Sequence, residues 1–289
     1  MAARDDGRCG RYERHAYSLN GFYGIIDSGQ AKGYFNIGDR IKIVPNTSVF
    51  ADSTIILQVI GFNHFRRVDN NEFASVVFHM VGLMNSGHRM NGSNINTGGW
   101  PATEMRTWLN ETILAALPQQ WKSMIRTVKV MSSQGQTMAD IVESEDKLFL
   151  LSQAEVGFNT TEVPYVNEVD ASAESRVFSV FSSNNARIRK YYNGTGSAAN
   201  WWLRSPVSSS SANFMNVNNN GNSNNNNASN SNGVAFGSSR ARQSNRWVKS
   251  VQSGEKEHLT IRKENIEPDG PWRTLLAWRR LMVMRRFMP

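Results

Sequence analysis

The stretch Trp201-Trp202-Leu203-Arg204-Ser205-Pro206 is followed closely by residues 213–232, of which 12 of 20 are Asn. Two adjacent aromatic residues beside a leucine favour a strand buried on both faces, because large aromatic side chains dominate core burial. The Asn tract alone is also typical of a disordered, low-complexity segment. Its turn signals favour short strands instead, since Asn220-Gly221 and Asn232-Gly233 are typical of type I′ hairpin turns. We therefore predict a buried strand that carries a polar, uncharged hairpin.

Arg204 is a charged residue inside this predicted buried strand. A buried cation needs a partner, so we expect a structural ion pair with Glu155 or Glu168 rather than a contact to a ligand. Stacking of Trp201 or Trp202 on a sugar or a base stays open as the alternative to core packing.

The residues before the motif predict further strands. Ile37–Val44 alternates apolar and polar residues up to the Pro45-Asn46 break, as a half-buried strand does. Thr54–Phe62 and Ser75–Val81 are runs of β-branched and aromatic residues bounded by polar turns. We predict strands at all three places.

A helical period begins after Trp100, where Pro101 suits a first helical turn. Pro118 ends that helix and opens a second, and Ser152–Glu155 has the pattern of a capping box that begins a short third helix. The residues expected to face the core are Met105, Trp108, Leu109 and Ile113 in the first helix and Trp121, Met124, Ile125 and Val128 in the second. Strands followed by helices indicate an α+β fold.

Charge divides the chain of 289 residues into unequal parts. Its formal net charge is +8, but residues 238–289 hold 12 Lys or Arg against 5 Asp or Glu. We predict an N-terminal arm at 1–33, a nearly neutral domain at 34–237, and a basic tail at 238–289 that is poorly ordered. Because the tail offers no strand pattern, a chain ending near Gly237 is expected to stay folded.

Several classes of function lack their sequence signals. The single cysteine, Cys9, cannot form an intrachain disulfide, and His64, His79 and His88 lack the spacing of metal ligands. No nucleophile elbow, phosphate loop or dinucleotide fingerprint is present. We expect no catalytic residues, metal or cofactor. No membrane-spanning run or signal peptide is visible, so we expect synthesis in the cytoplasm.

Motifs along residues 34–237 resemble those of a bacterial and phage domain family marked by Trp-Trp-Leu-Arg-Ser-Pro. Several members of that family are variable target proteins of diversity-generating retroelements and have a C-type-lectin-like fold. The motifs that carry the resemblance are Ile37-Gly38-Asp39-Arg40, Ile60-Gly61-Phe62-Asn63-His64, Gly98-Gly99-Trp100 with Met105-Arg106, Asp146–Ser152 with Glu155-Val156, Trp201–Pro206, and Asn232–Gly237.

The resemblance implies a non-enzymatic, ligand-binding protein displayed on a phage tail or a bacterial cell surface. Its variable region would span about 200–237, with Asn codons in a state like the retroelement template. The residues implied as the ligand-binding face are Asn213, Asn216, Asn218, Asn219, Asn220, Asn222, Asn224, Asn225, Asn226, Asn227, Asn230 and Asn232. We expect all of these except Asn213 and Asn232 to project into solvent.

The implied partner is a protein or glycan receptor on a bacterial surface, while a second copy of the chain or a phage tail protein stay open as further partners. Two other functions stay open. One is an enzyme that resembles the formylglycine-generating type. That resemblance implies a cysteine-dependent site in the C-terminal half, and this chain has no cysteine there. The other is nucleic-acid binding through the tail, where Leu275, Trp278 and Met282 share one face of a basic amphipathic pattern.

Overall fold

The computed structural model of the chain describes residue 26 and residues 31–45, 54–136, 140–191, 196–241 and 261–262. These residues contain both strands and short helices, so the predicted α+β class is confirmed. Most of the regular structure is strand, arranged in one large sheet and two smaller ones. No helix in the described ranges is both long enough and apolar enough to cross a membrane.

The largest sheet confirms the three strands predicted near the start of the domain. Its members are β1 (Arg40–Ile43), β2 (Ile55–Gly61), β3 (Val76–Met80), β4 (Ile125–Arg126), β7 (Leu148–Phe149), β11 (Gly237–Arg240) and β12 (Ile261–Arg262). The order is β12-β1-β2-β3-β11-β4, and β7 also pairs with β11. All of these pairs are antiparallel.

Strand β11 crosses the boundary expected between residues 237 and 238. Ser238 pairs with Phe78 of β3, and every residue of β11 is buried. The Arg240 guanidinium lies 3.1 Å from the centre of the Trp121 ring and donates to the Trp121 carbonyl oxygen at 3.2 Å. The expectation of no strand after Gly237 is therefore wrong. The strand shows no apolar pattern in the sequence because Arg240, packed on the Trp121 ring, takes the position that an apolar side chain would otherwise fill.

The first predicted helix is confirmed, with one irregularity. It consists of α2 (Glu104–Trp108), a π-helical turn (Leu109–Ile113) and α3 (Leu114–Ala116), after a short element α1 (Ala31–Tyr34) earlier in the chain. Pro101 lies in a preceding 3₁₀ turn, and the Thr103 side chain caps α2 by accepting from the Arg106 backbone N–H. Met105, Leu109 and Ile113 are buried as expected, whereas Trp108 is only partly buried.

The other two helix predictions need correction. Helix α4 (Gln119–Met124) ends before Ile125, which lies in β4, while Val128 begins β5 (Val128–Ser133). Ile125 and Val128 are buried, but they lie in strands and not in the helix. Their helical spacing in the sequence therefore does not place them on one helix face. At Ser152–Glu155 the reciprocal capping bonds form, but the backbone makes turns and Gly157 follows at φ +86°. A left-handed glycine is typical of a helix end, so no helix extends there.

Two small sheets complete the described part of the fold. Strand β5 pairs with β6 (Ile141–Asp146), and β8 (Trp201–Pro206), β9 (Asn213–Val217) and β10 (Ser223–Asn227) form a sheet in the order β10-β9-β8. Helix α5 (Asn184–Arg187) lies between β7 and β8 in sequence. This last sheet holds the predicted motif and the Asn tract.

Candidate functional site: the Asn-rich hairpin

Strand β8 anchors the Asn-rich segment in the core. All six of its residues are buried, and Trp201 and Trp202 have no exposed surface. Each indole N–H has a partner, since Trp201 donates to the Arg187 carbonyl oxygen at 3.0 Å and Trp202 donates to the His88 carbonyl oxygen at 2.8 Å. The interpretation as core residues is confirmed. Neither ring is available for stacking on a ligand.

Arg204 forms the ion pair that the sequence indicated. Its two terminal nitrogens contact the two carboxylate oxygens of Glu155 at 2.6 and 2.8 Å, and both side chains are fully buried. The same guanidinium donates to the carbonyl oxygens of Met131, Leu150 and Glu168 at 2.9 Å. Arg204 thereby ties β8 to three other parts of the domain.

The pKa values of the two predicted acidic partners, Glu155 and Glu168, shift in opposite directions. Burial alone would raise the pKa of Glu155, but Arg204 and a hydrogen bond from His64 outweigh it and lower that pKa to about 2. Burial raises the pKa of Glu168, and Arg204 together with hydrogen bonds from Ser205 and Ser133 only partly opposes this effect. Arg204 therefore neutralises one ionised carboxylate, and the Glu168 side chain serves mainly as a hydrogen-bond acceptor.

The space between the carboxylates of this cluster offers a substrate very little room, although His64 also borders a cavity of about 160 Å³ with Phe178 and Glu174. A cavity of about 20 Å³ adjoins His64, Glu155 and Glu168, which is space for about one water molecule. His64 contacts Glu155 at 2.9 Å and the Ser175 carbonyl oxygen at 2.8 Å. The geometry is that of a structural network that holds β8 in place.

Strands β9 and β10 form the predicted hairpin, but the turn is of a different type. The Gly221 N–H donates to the Asn218 carbonyl oxygen at 2.9 Å, and the Asn218 N–H donates to the Asn222 carbonyl oxygen at 2.9 Å. A type I′ turn on Asn220-Gly221 would need positive φ at both residues, whereas only Gly221, at +80°, has it. This is the three-residue loop in which a left-handed glycine follows a type I turn. The hairpin prediction at Asn220-Gly221 is confirmed, and its turn type is wrong. The type I′ turn predicted at Asn232-Gly233 is also wrong, because neither residue has positive φ and both form β-bridges, with His88 and Trp201.

The tip of the hairpin is held against α5. A Cβ atom on Gly221 would overlap the Asn184 carbonyl oxygen, so the close approach needs glycine. The Asn184 side chain donates to the Asn222 side chain at 2.7 Å, and the Asn200 side chain accepts from the Asn219 N–H at 3.0 Å. The turn is thus fixed at several points.

Most of the predicted Asn residues are accessible to solvent. The exposed ones are Asn219, Asn220, Asn222, Asn224, Asn225, Asn227 and Asn230, and the half-buried ones are Asn213, Asn218 and Asn226. Asn218 also has a local role, because its side chain accepts from the backbone N–H groups of Asn220 and Asn222. The segment therefore presents amide groups on a defined backbone.

Asn216 and Asn232 do not belong to the exposed surface. Asn216 has no exposed area, so its expected projection into solvent is wrong, and Asn232 is 8% exposed. Within the described residues, neither amide atom of Asn216 has a hydrogen-bond partner. Asn216 lies in the central strand of this sheet, opposite Trp202 of β8 and Asn224 of β10.

Sequence reasoning missed residues from 88–96 that support the hairpin. Asn96 is fully buried, and its amide donates to the carbonyl oxygens of Val207, Ser210 and Asn213 at 2.7 to 3.1 Å. Asn94 accepts from the backbone and the hydroxyl of Ser229 at 3.2 and 2.6 Å. A run of Asn, Gly and Ser residues was the available signal, but it does not indicate which carbonyl groups they bind.

The three histidines lie in separate environments. His64 contacts Glu155, His79 is buried in β3, and His88 stacks on Trp108 with ring centres 4.0 Å apart. In the ranges that the structure describes, no group of three His, Cys, Asp or Glu residues is placed to hold a metal. The proposed amphipathic pattern around Leu275, Trp278 and Met282 lies outside the described residues.

Fold and site together define an α+β domain in which a strand fixed by a buried ion pair carries a neutral, amide-rich hairpin. Residues 66–262 match the family model described as Domain of unknown function (DUF6273). Because the match covers more than half of the chain, this protein belongs to the DUF6273 family. No curated protein and no solved structure gives a significant match.

Proposed function

We propose that this protein is a non-enzymatic receptor-recognition protein and that the exposed Asn residues of the β9–β10 hairpin form its binding surface. The observation that carries this proposal is the contrast between the two outer strands of one three-stranded sheet. Every residue of β8 is buried, whereas β10 consists of exposed or half-buried polar residues. A rigid scaffold with replaceable surface residues is the arrangement that recognition loops use.

The proposal includes a C-type-lectin-like scaffold and variation by a diversity-generating retroelement. Asn codons are rich in adenine, the base at which such systems introduce variation, and the segment holds 12 Asn among 20 residues. Display on a phage tail or a bacterial surface, with a protein or glycan receptor, follows from the same resemblance. A template repeat and a reverse-transcriptase gene beside the coding sequence would support this part, and a locus without both would contradict it.

A display library tests the binding surface directly. Tyr, Ser, Asp and Arg are introduced at the exposed hairpin positions Asn219, Asn220, Asn222, Asn224, Asn225, Asn227 and Asn230, while Asn216 and Asn232 are kept. Tyr and Arg supply the contact area on which binding hot spots depend, so we expect selected variants to bind bacterial surfaces. The all-Asn parent should bind feebly, because water already satisfies its amides.

A second library supplies the matched control. It carries the same four residue types at exposed helical positions Thr107, Glu111, Thr112, Gln119 and Gln120. Both libraries should stay folded, since exposed substitutions usually change stability by about 0.5 kcal/mol. Enrichment of binders from the hairpin library alone supports the proposal. Equal enrichment from both libraries, or unfolding of most hairpin variants, contradicts it.

A further inference from the structure

Strand β10 is the outermost strand of its sheet. It pairs with β9 from Ser223↔Val217 to Asn227↔Asn213, and no other strand in the described ranges pairs with its far side. An unpaired edge presents backbone N–H and C=O groups to which another strand can bond. The edge of β10 can therefore pair with a further strand.

The register shows which backbone groups face outward. The Ala228 N–H donates to the Ala212 carbonyl oxygen, and the Asn218 N–H donates to the Asn222 carbonyl oxygen. In the register of β9 and β10, the hydrogen-bonded pairs are therefore formed by even-numbered residues. Hydrogen-bonded and non-bonded pairs alternate along an antiparallel ladder. The backbone groups of Ser223 and Asn225 therefore point away from β9, toward the open edge.

The edge also lacks the usual features that prevent pairing. Protein edge strands are commonly protected by lysine, proline or a bulge. Strand β10 has the sequence Ser-Asn-Asn-Asn-Asn, without charge or proline, and it pairs with β9 without a bulge. Nothing in its own sequence repels a second strand.

The Asn side chains already form part of a ladder. The Asn213 amide nitrogen donates to the Asn225 amide oxygen at 2.6 Å across the two strands. This bond uses the acceptor of Asn225 and leaves its amide N–H groups to donate to a further strand. Stacked Asn ladders stabilise edge-to-edge strand assemblies.

We infer that two copies of this protein associate through β10, antiparallel to each other, about a two-fold axis at Asn225. The axis places Asn225 opposite Asn225 and Ser223 opposite Asn227. The outward backbone groups of Asn225 in the two copies therefore meet, whereas the Asn227 carbonyl oxygen already accepts from the Asn230 N–H at 2.9 Å. Each Asn both donates and accepts, which makes the segment its own complement, and two neutral strands do not repel. The pairing joins two three-stranded sheets into one of six strands.

The contact is short, so the dimer is weak and depends on concentration. Five residues on each side fall well below the area of a standard stable interface. This inference goes beyond the proposed function, since it uses the backbone edge and requires no receptor. It can fail while the exposed Asn residues still recognise a receptor.

Sedimentation velocity on the full chain over a concentration series tests the inference. The wild type should show a monomer–dimer equilibrium, and Asn225→Lys should weaken association at least tenfold, because like charges directly opposite each other repel. Asn219→Lys is the matched control: it adds the same charge at an exposed position in the turn and should leave association unchanged.

Charge reversal keeps the test decisive. Asn225→Lys mixed with Asn225→Asp should form a heterodimer, whereas each variant alone stays monomeric. This result cannot come from misfolding, and circular dichroism checks the fold of every variant. A wild type that remains monomeric at all concentrations overturns the inference. Dimers that Asn225→Lys leaves intact, or a mixture that does not associate, overturn it as well.

Discussion

The Arg204 guanidinium lies 2.6 Å from the Glu155 carboxylate, and neither side chain has any exposed surface. Removing one partner of such a pair leaves a buried charge without compensation, which costs about 3 to 5 kcal/mol. We therefore expect Arg204→Met to lower the free energy of unfolding by this amount in urea titrations. Adding Glu155→Gln to that variant should cost less than it does in the wild type. Additive effects would show that the pair is not coupled.

Asn216 is the position where an apolar residue should improve the protein. Its amide is fully buried and has no partner among the described residues. Because an unsatisfied buried polar group is unfavourable, Asn216→Leu should raise the free energy of unfolding by about 1 kcal/mol. Asn219→Leu, at an exposed position, is the control and should be neutral. A lower Tm for Asn216→Leu than for wild type would contradict the burial described above.

The tryptophans should fall into two groups by the stability lost when each is replaced by alanine. Trp121, Trp201 and Trp202 are buried, whereas Trp108 is partly buried and stacks on His88. Replacement of any of the first three by Ala should cost about 3 to 5 kcal/mol, and Trp108→Ala should cost less. Chemical denaturation of the four variants measures this order. If Trp108→Ala loses as much unfolding free energy as Trp201→Ala, then Trp108 contributes more to stability than its partial burial implies.

Stability should fall as the pH drops through the weakly acidic range. Burial, followed by the nearby Arg189 charge, lowers the pKa of His79 from 6.5 to about 3. Below pH 6.5 the unfolded chain binds a proton that native His79 does not bind until about pH 3. Each pH unit in that window therefore costs on the order of 1 kcal/mol. The difference in unfolding free energy between wild type and His79→Met isolates this group. A difference that does not change between pH 7 and pH 4 would contradict it.

Truncation separates the role of β11 from that of the residues after it. A chain ending at Gly237 loses Ser238–Arg240, which pair with β3, β4 and β7 in the large sheet. We expect this chain not to unfold cooperatively. A chain ending at Arg262 keeps every described residue and should retain the wild-type transition in thermal scans. If the Gly237 chain keeps its Tm, then β11 contributes little to the fold.

The sequence allows the local features of this fold to be predicted. Alternating or β-branched runs place β1, β2 and β3, and a helical stripe with a proline at its start places α2. The Arg204 ion pair is also predictable, because a buried cation in the core must find a carboxylate. These inferences use only residue spacing and the energy of burial.

Long-range packing explains what the sequence does not predict. Strand β11 is buried although it reads Gly-Ser-Ser-Arg, since Arg240 packs on Trp121 from a distant part of the chain. Asn216 looks like its exposed neighbours in the sequence, yet tertiary packing buries its side chain completely. The capping box at Ser152 forms its bonds, yet Glu155 also binds Arg204 and His64, and Gly157 turns the chain away.

The position of β11 has a consequence for how the molecule folds during synthesis. Val77 of β3 pairs with Ser239, so the middle of the large sheet stays incomplete until the ribosome has produced the whole Asn-rich hairpin. Pairings between such distant residues form slowly, because a long loop must close first. Any sequence placed in the hairpin must therefore remain harmless in a nascent chain whose core is still open. This constraint favours short, neutral, water-soluble residues in the hairpin, and Asn fits it well.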